Sequence, residues 1–131
     1  MRSNPQSGST PRRFTILIAE DHFDSREALS TLLEAFGYRV LAAVNGREAV
    51  ERAQEHSPDL ILMDIMMPEM DGFEATRRLR ELDETRDIPI IVVTAMEGAR
   101  SLALQAGATD FLRKPIDSRM LLDRIRSLTS A

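Results

Sequence analysis

The sequence predicts a single α/β domain on a doubly wound parallel sheet, and three observations lead there. Five short apolar, β-branched runs alternate with five stretches whose apolar residues recur at helical spacing, and such alternation builds right-handed βαβ units. The first, third and fourth runs are apolar nearly throughout, as strands covered on both faces are. The chain has 131 residues, which suits one hydrophobic core, and the pattern leaves no room for a second domain.

The elements follow in order. "FTILIA" at 14–19 is the first strand. A helix over 24–36 carries Ala28, Leu29, Leu32, Leu33 and Phe36 on one side; Asp24 with Glu27 resembles a capping box, and Gly37 is the stop. "YRVLAAV" at 38–44 is the second strand, more polar and so placed at an edge. Asn45 with Glu48 opens the second helix, which turns Ala49, Val50 and Ala53 inward and ends by Pro58. "DLILMDI" at 59–65 is the third strand. Asp71 with Glu74 opens the third helix, reaching Leu82 with Phe73, Thr76 and Leu79 on one side and Arg77, Arg78 and Arg80 on an exposed one. "IPIIVVTA" at 88–95 is the fourth strand, and an Ala-rich helix over 98–106 ends at Gly107. "TDFLRK" at 109–114 is the fifth strand, and the last helix, 117–128, carries Met120, Leu121, Ile125 and Leu128.

Composition narrows the chemistry. The absence of cysteine excludes disulfides and thiolate catalysis, and two histidines, His22 and His56, do not make a histidine-rich metal site. The net charge of −4 argues against nonspecific binding to nucleic acid or an anionic membrane. No apolar run approaches the ~20 residues of a membrane span. The Ser/Pro/Gly/Arg-rich start, 1–13, lacks a signal peptide's apolar stretch and is expected to be a disordered tail, with the domain at 14–131 and a cytoplasmic location.

One residue conflicts with its surroundings. Asp64 ends a buried strand, where a carboxylate costs several kcal/mol unless compensated. Open parallel sheets bind ligands at the carboxyl ends of their strands. Those ends here are Glu20-Asp21, Asp64, Thr94-Ala95 and Lys114-Pro115, four places that the sheet gathers on one rim. Crowded carboxylates repel one another, and a hard divalent cation such as Mg²⁺ relieves the repulsion. A carboxylate, a metal, a lysine and a threonine hydroxyl suit phosphoryl transfer through an aspartyl phosphate. The residue types alone do not choose the nucleophile; Asp64 is favoured by the apolar run before it and the proline-containing loop after it. Met63 reads as core filler, and Met67 and Met70 as loop residues over the site.

At these residues the chain resembles the receiver domain of two-component response regulators. The motifs "ILIAEDH", "LILMDIMMPEMDG", "IIVVTA" and "FLRKP" occur in that family's order over about 14–128. The resemblance implies a flavodoxin-like sheet of order 2-1-3-4-5 with five helices. It implies that Asp64 accepts the phosphoryl group, and that Asp21, Glu20, Asp64 and the Met66 carbonyl hold Mg²⁺. It also implies that Lys114 pairs with phosphoryl oxygens beside a cis Lys114-Pro115 bond, and that Thr94 and Phe111 form the switch. Phe111 stands where the family often has tyrosine, so a hydroxyl bond is missing from the usual coupling. Met66 and Met96 would flank the phosphoryl group without a carboxylate or amide to orient an attacking water. The implied partners are a sensor histidine kinase or histidine phosphotransfer protein and a downstream protein target, with no direct nucleic acid and no membrane.

Two other readings stand beside this one. A Mg²⁺-dependent aspartyl-phosphate phosphohydrolase of the haloacid-dehalogenase type needs a second aspartate two residues after the nucleophile, where this chain has Met66. A phosphorylation-independent interaction module on the same fold would not need Glu20, Asp21, Thr94 and Lys114 together.

Overall fold

A computed structural model describes residues 13–129 of the chain. Its elements are β1 (Thr15–Ala19), α1 (Phe23–Ala35), β2 (Arg39–Ala43), α2 (Gly46–His56), β3 (Leu60–Met63), α3 (Gly72–Glu81), β4 (Ile90–Thr94), α4 (Arg100–Ala106), β5 (Asp110–Arg113) and α5 (Ser118–Thr129). All four pairings are parallel and the order is β2-β1-β3-β4-β5, the flavodoxin-like doubly wound order, with β2 at an edge. Residues 1–12 of the expected tail lie outside the described residues. Arg13 donates to the carbonyl oxygens of Gly37 (3.3 Å) and Tyr38 (3.4 Å) at the start of β2.

Strand alternation divides the core into two layers. Leu17, Ala19, Ile61, Met63, Ile90, Val92 and Phe111 face α2, α3 and α4. Ile16, Ile18, Leu60, Leu62, Ile91, Val93 and Leu112 face α1 and α5, against Leu33, Leu121, Leu122 and Ile125. The layer under α2–α4 is closed by alanines: Ala49, Ala53, Ala75, Ala99 and Ala103 are all buried. Small residues let these helices lie close to the sheet.

Several local expectations are corrected. α1 begins at Phe23 after an N-cap at His22 that makes no side-chain cap bond, so Asp24 sits inside the first turn. There its charge still favours the helix N-terminus. Phe36 follows the helix and is 56% exposed, and Met120, in the first turn of α5, is 46% exposed, so neither joins the core. Arg80 is half-buried, unlike the exposed Arg77 and Arg78. Met67 does not cover the site: it is buried in the layer under α2–α4, and Met70 packs against the same layer. The expected caps at Asn45 and Asp71 are present, accepting from the Glu48 and Glu74 N–H groups at 2.7 and 2.9 Å.

Candidate functional site: an acidic rim closed by a lysine

Sheet register builds the site. Ala19 lies opposite Met63, so Glu20 and Asp64, each one residue past its strand, emerge side by side. The Asp64 N–H donates to the Ala19 carbonyl at 3.0 Å, and the Glu20 N–H to that of Ala43 at 3.0 Å. Across the sheet Arg113 lies opposite Thr94, and the Lys114 N–H donates to the Thr94 carbonyl at 2.9 Å. Four strands that are distant in sequence thus release polar residues along one edge.

The Lys114 ammonium joins two of them. Nζ donates to Glu20 Oε1 at 2.5 Å and to Asp64 Oδ2 at 2.9 Å. Glu20 is 2% exposed and Asp64 8%. Two carboxylates so withdrawn from water require a counter-charge, and the ammonium supplies one. Burial, the largest single influence on Lys114, pulls its pKa down; the hydrogen bonds and charges of Glu20 and Asp64 together outweigh it, and the net shift is upward. The Lys114-Pro115 bond is cis.

The remaining oxygens are held by backbone, with one exception. Asp64 Oδ1 accepts from the N–H groups of Ile65 (2.6 Å) and Met66 (3.3 Å), and Glu20 Oε2 from that of His22 (3.1 Å). Asp21 Oδ1 is shielded from solvent and accepts no hydrogen bond among the described residues; His22 Nδ1 stands 3.7 Å away, beyond hydrogen-bonding range. Glu20 and Asp21 each bring a carboxylate oxygen within 4.8 Å of the other and of a His22 nitrogen. A buried anionic oxygen without a donor, among hard oxygen atoms, fits a divalent cation such as Mg²⁺.

Two supports had no local signature in the sequence. The Arg26 guanidinium, from the first turns of α1, donates to the carbonyls of Glu20 (2.8 Å) and Asp21 (3.3 Å) and so fixes the backbone of the acid pair. The loop from Asp64 to Gly72 is braced from α2. Asn45 Nδ2 donates to Glu69 Oε2 at 3.2 Å, and Arg47 donates twice to Glu69 Oε1, each at 3.2 Å. Glu69 has φ +68°, a conformation costing about 1 kcal/mol or more for a non-glycine residue, and these bonds hold it there. At the loop's neck Gly72 donates to the Ile65 carbonyl at 2.9 Å, and a Cβ on Gly72 would lie 2.1 Å from the Asp64 carbonyl oxygen. A Cβ on Gly46 would lie 2.2 Å from the Met70 carbonyl oxygen.

The remaining expected residues lie nearby but not in the cluster. Thr94 is buried, and its hydroxyl oxygen accepts from the Met96 N–H at 3.3 Å. Met66 turns its side chain to solvent, and Met96 packs against the layer under α2–α4. Phe111 lies in that layer, three residues before Lys114.

The family model described as the response regulator receiver domain matches residues 16–126. The chain belongs to the response regulator receiver domain family. Receivers are signalling switches of two-component systems rather than classical enzymes. This receiver is 44% identical over 116 residues to the response regulator PleD of Caulobacter vibrioides, covering 87% of this chain and 26% of PleD, so it spans about a quarter of that relative's length. It is 41% identical over 115 residues to the polar-differentiation response regulator DivK of Brucella anthropi, covering 86% of this chain and 94% of DivK. Among solved structures it is similar to the receiver domain of the sensor histidine kinase PA1611 of Pseudomonas aeruginosa, with 34% identity and a TM-score of 0.85, covering 92% of this chain and all (100%) of that one. That neighbour holds a magnesium ion in its active-site cleft. Among the described residues of the receiver no helix is long and apolar enough to cross a membrane.

Proposed function

We propose that this receiver, taken as residues 14–131, accepts a phosphoryl group on Asp64 and changes its protein-binding surface in response. The observation that carries the reading is the Lys114 ammonium bridging Glu20 and Asp64 beside an Asp21 oxygen that lacks a donor. Two backbone N–H groups hold Asp64 Oδ1, which presents Oδ2, on the Lys114 side, to phosphorus. A bond forms from that oxygen to phosphorus. The bond from phosphorus to the donor breaks, and its electron pair stays on the donor's imidazole nitrogen. Lys114 then meets the transferred oxygens with a charge already in place.

Glu20, Asp21, Asp64 and the Met66 carbonyl would hold Mg²⁺, which supplies charge neutralisation at the carboxylates and phosphoryl oxygens. Among the described residues the Thr94 hydroxyl oxygen accepts a long contact from Met96 N–H, and its proton is available to be donated to a phosphoryl oxygen. Its movement and that of Phe111 alter the surface of α4, β5 and α5. The donor is a histidine kinase or phosphotransfer protein. An apolar groove of about 330 Å³ beside Lys114, lined by Ala28, Leu29, Leu32, Pro115 and Ile116, gives such a protein a seat next to the carboxylates. A downstream protein, rather than nucleic acid or membrane, reads the result in the cytoplasm.

Incubation with acetyl phosphate and Mg²⁺, followed by intact mass measurement, tests this. The wild type should gain one phosphoryl group and Asp64→Asn none, without turnover of a chromogenic phosphate ester. A labelled Asp64→Asn protein, or catalytic turnover of the ester, overturns the reading. Neither Met66 nor Met96 offers a carboxylate or amide to orient an attacking water, so the acyl phosphate should persist for minutes or longer; a half-life of a few seconds contradicts that expectation.

A further inference from the structure

Phe111 has no polar atom with which to fix its position, yet it is held from outside. The ring is 6% exposed and packs in the layer that contains Ala99, Ala103 and Ala108. The Arg100 guanidinium carbon lies 5.4 Å from the ring centroid, within cation–π range. Beyond the ring lies a groove of about 380 Å³, lined by Arg100, Phe111, Arg113, Pro115, Ile116 and Met120 among others. The aromatic side chain therefore has two places available, the layer it occupies and the groove outside, and Arg100 borders both.

Other functions do not account for Arg100. It is the first residue of α4, where the helix dipole disfavours a cation. Among the described residues no carboxylate pairs with it. α4 has seven residues, and its N-cap, Ala99, makes no side-chain cap bond, so the start of this helix is weakly secured by its own backbone. The neighbouring link from the β4–α4 loop to β5, Arg113 to Glu97 at 3.3 Å, joins exposed side chains and is screened by solvent. Ring contact is what the Arg100 guanidinium gains by lying there.

We propose that Arg100 is a positioning residue that latches Phe111 in its inner seat through a cation–π contact, tying the start of α4 to β5. The ring shares a sheet face with Thr94: Phe111 is opposite Val92, and Thr94 is two residues on along β4. Holding the ring inward keeps the space beside Thr94 filled and α4 seated. This rests on the reading that loading of Asp64 is what the ring reports. The inner arrangement is then the one that loading favours, and the latch raises its population beforehand.

The test replaces Phe111 with mono-, di- and trifluorophenylalanine, which progressively drain the negative face of the ring at nearly constant shape. Each series is made in wild type, Arg100→Ala and Arg100→Lys. In the unloaded protein, ¹⁹F resonances at 111 should move and broaden in Arg100→Ala and stay close to wild type in Arg100→Lys. Unchanged resonances in Arg100→Ala overturn the latch, whatever the site binds. With Mg²⁺ and beryllofluoride, a mimic of the aspartyl phosphate, Arg100→Ala should bind about two- to fivefold more weakly. Successive fluorines should weaken binding stepwise with Arg100 present and not with alanine there; equal slopes in the two backgrounds overturn the proposal. If wild type fails to bind beryllofluoride, the proposed function falls, while the ¹⁹F comparison still decides the latch.

Discussion

The two sides of the acidic rim are built differently. On one side the loop from Asp64 to Gly72 is tied at its neck by the Gly72–Ile65 bond, packed through Met67 and braced from α2 by Asn45 and Arg47 on Glu69. On the other side the segment from Thr94 to α4 has a long hydroxyl contact, a solvent-screened Arg113–Glu97 pair, no side-chain cap and a short helix seated on alanines. α4 is secured at its far end instead. Arg80, from α3, donates to the carbonyls of Gly107 and Ile88, each at 2.8 Å, and of Arg86 at 2.9 Å. On the proposed function, groups that would meet a metal and a phosphorus atom need fixed positions, whereas a segment that would report the event needs two arrangements close in free energy. A short helix with an uncapped start and solvent-screened links suits the second requirement.

Four substitutions break or sharpen this contrast, in order of expected effect. Lys114→Met leaves Glu20 and Asp64 buried as unrelieved like charges and should cost about 3 kcal/mol or more in denaturant unfolding without Mg²⁺. If the acid cluster holds Mg²⁺ as proposed, added Mg²⁺ should recover part of that loss by binding the folded form. The pH dependence has a fixed sign. The Lys114 pKa is raised on folding, so its contribution is complete below the ordinary lysine value of about 10.4 and is lost as pH rises through the raised one. Wild-type and Lys114→Met stability curves should therefore draw together as pH rises into strongly alkaline solution.

Gly72→Ala places a Cβ against the Asp64 carbonyl and should destabilise by about 1–3 kcal/mol, displacing the carboxylate with it. A crystal structure with Asp64 unmoved would show that the neck is not as tight as its geometry requires. Arg80→Met strips three carbonyls of a charged donor and should cost about 2 kcal/mol. Hydrogen exchange should then accelerate in α4 and leave α2 unaffected; equal acceleration in both helices contradicts the contrast. Asn45→Ala removes a helix cap and one tie to Glu69 and should cost about 1 kcal/mol. Its exchange signature should be the reverse, confined to the start of α2 and the adjoining loop.

Periodicity carried the architecture because three of the five strands are nearly unbroken apolar runs, and most helix patterns are punctuated by Gly, Asn, Asp or Pro. It carried the rim too, since Glu20, Asp64, Thr94 and Lys114 are polar residues at or just beyond the ends of such runs. It failed where two physical solutions share one pattern. Asp24 and Glu27 have capping-box spacing, but the helix starts earlier because the Arg26 N–H reaches back to the His22 carbonyl at 3.0 Å. Phe36 and Met120 continue an apolar stripe yet stay exposed, because spacing alone does not tell which apolar residue of a stripe is covered. Met67 lies in a loop and is buried, because the loop folds back over α2 and α3. Arg80 could not be told from Arg77 and Arg78, since its partners are carbonyls up to 27 residues away. The Glu69 brace joins residues 22 and 24 positions apart, and no local window contains both ends.

The bond from Lys114 to Glu20 spans 94 residues, joining the ends of the first and last strands of the sheet. An incomplete polypeptide that still lacks β5 has no ammonium to set between its two sunken acids, however well its earlier strands associate. On the proposed function, competence to take up a signal would therefore arrive with the closing of the sheet, and a partly made or clipped molecule would stay silent instead of sending a false message.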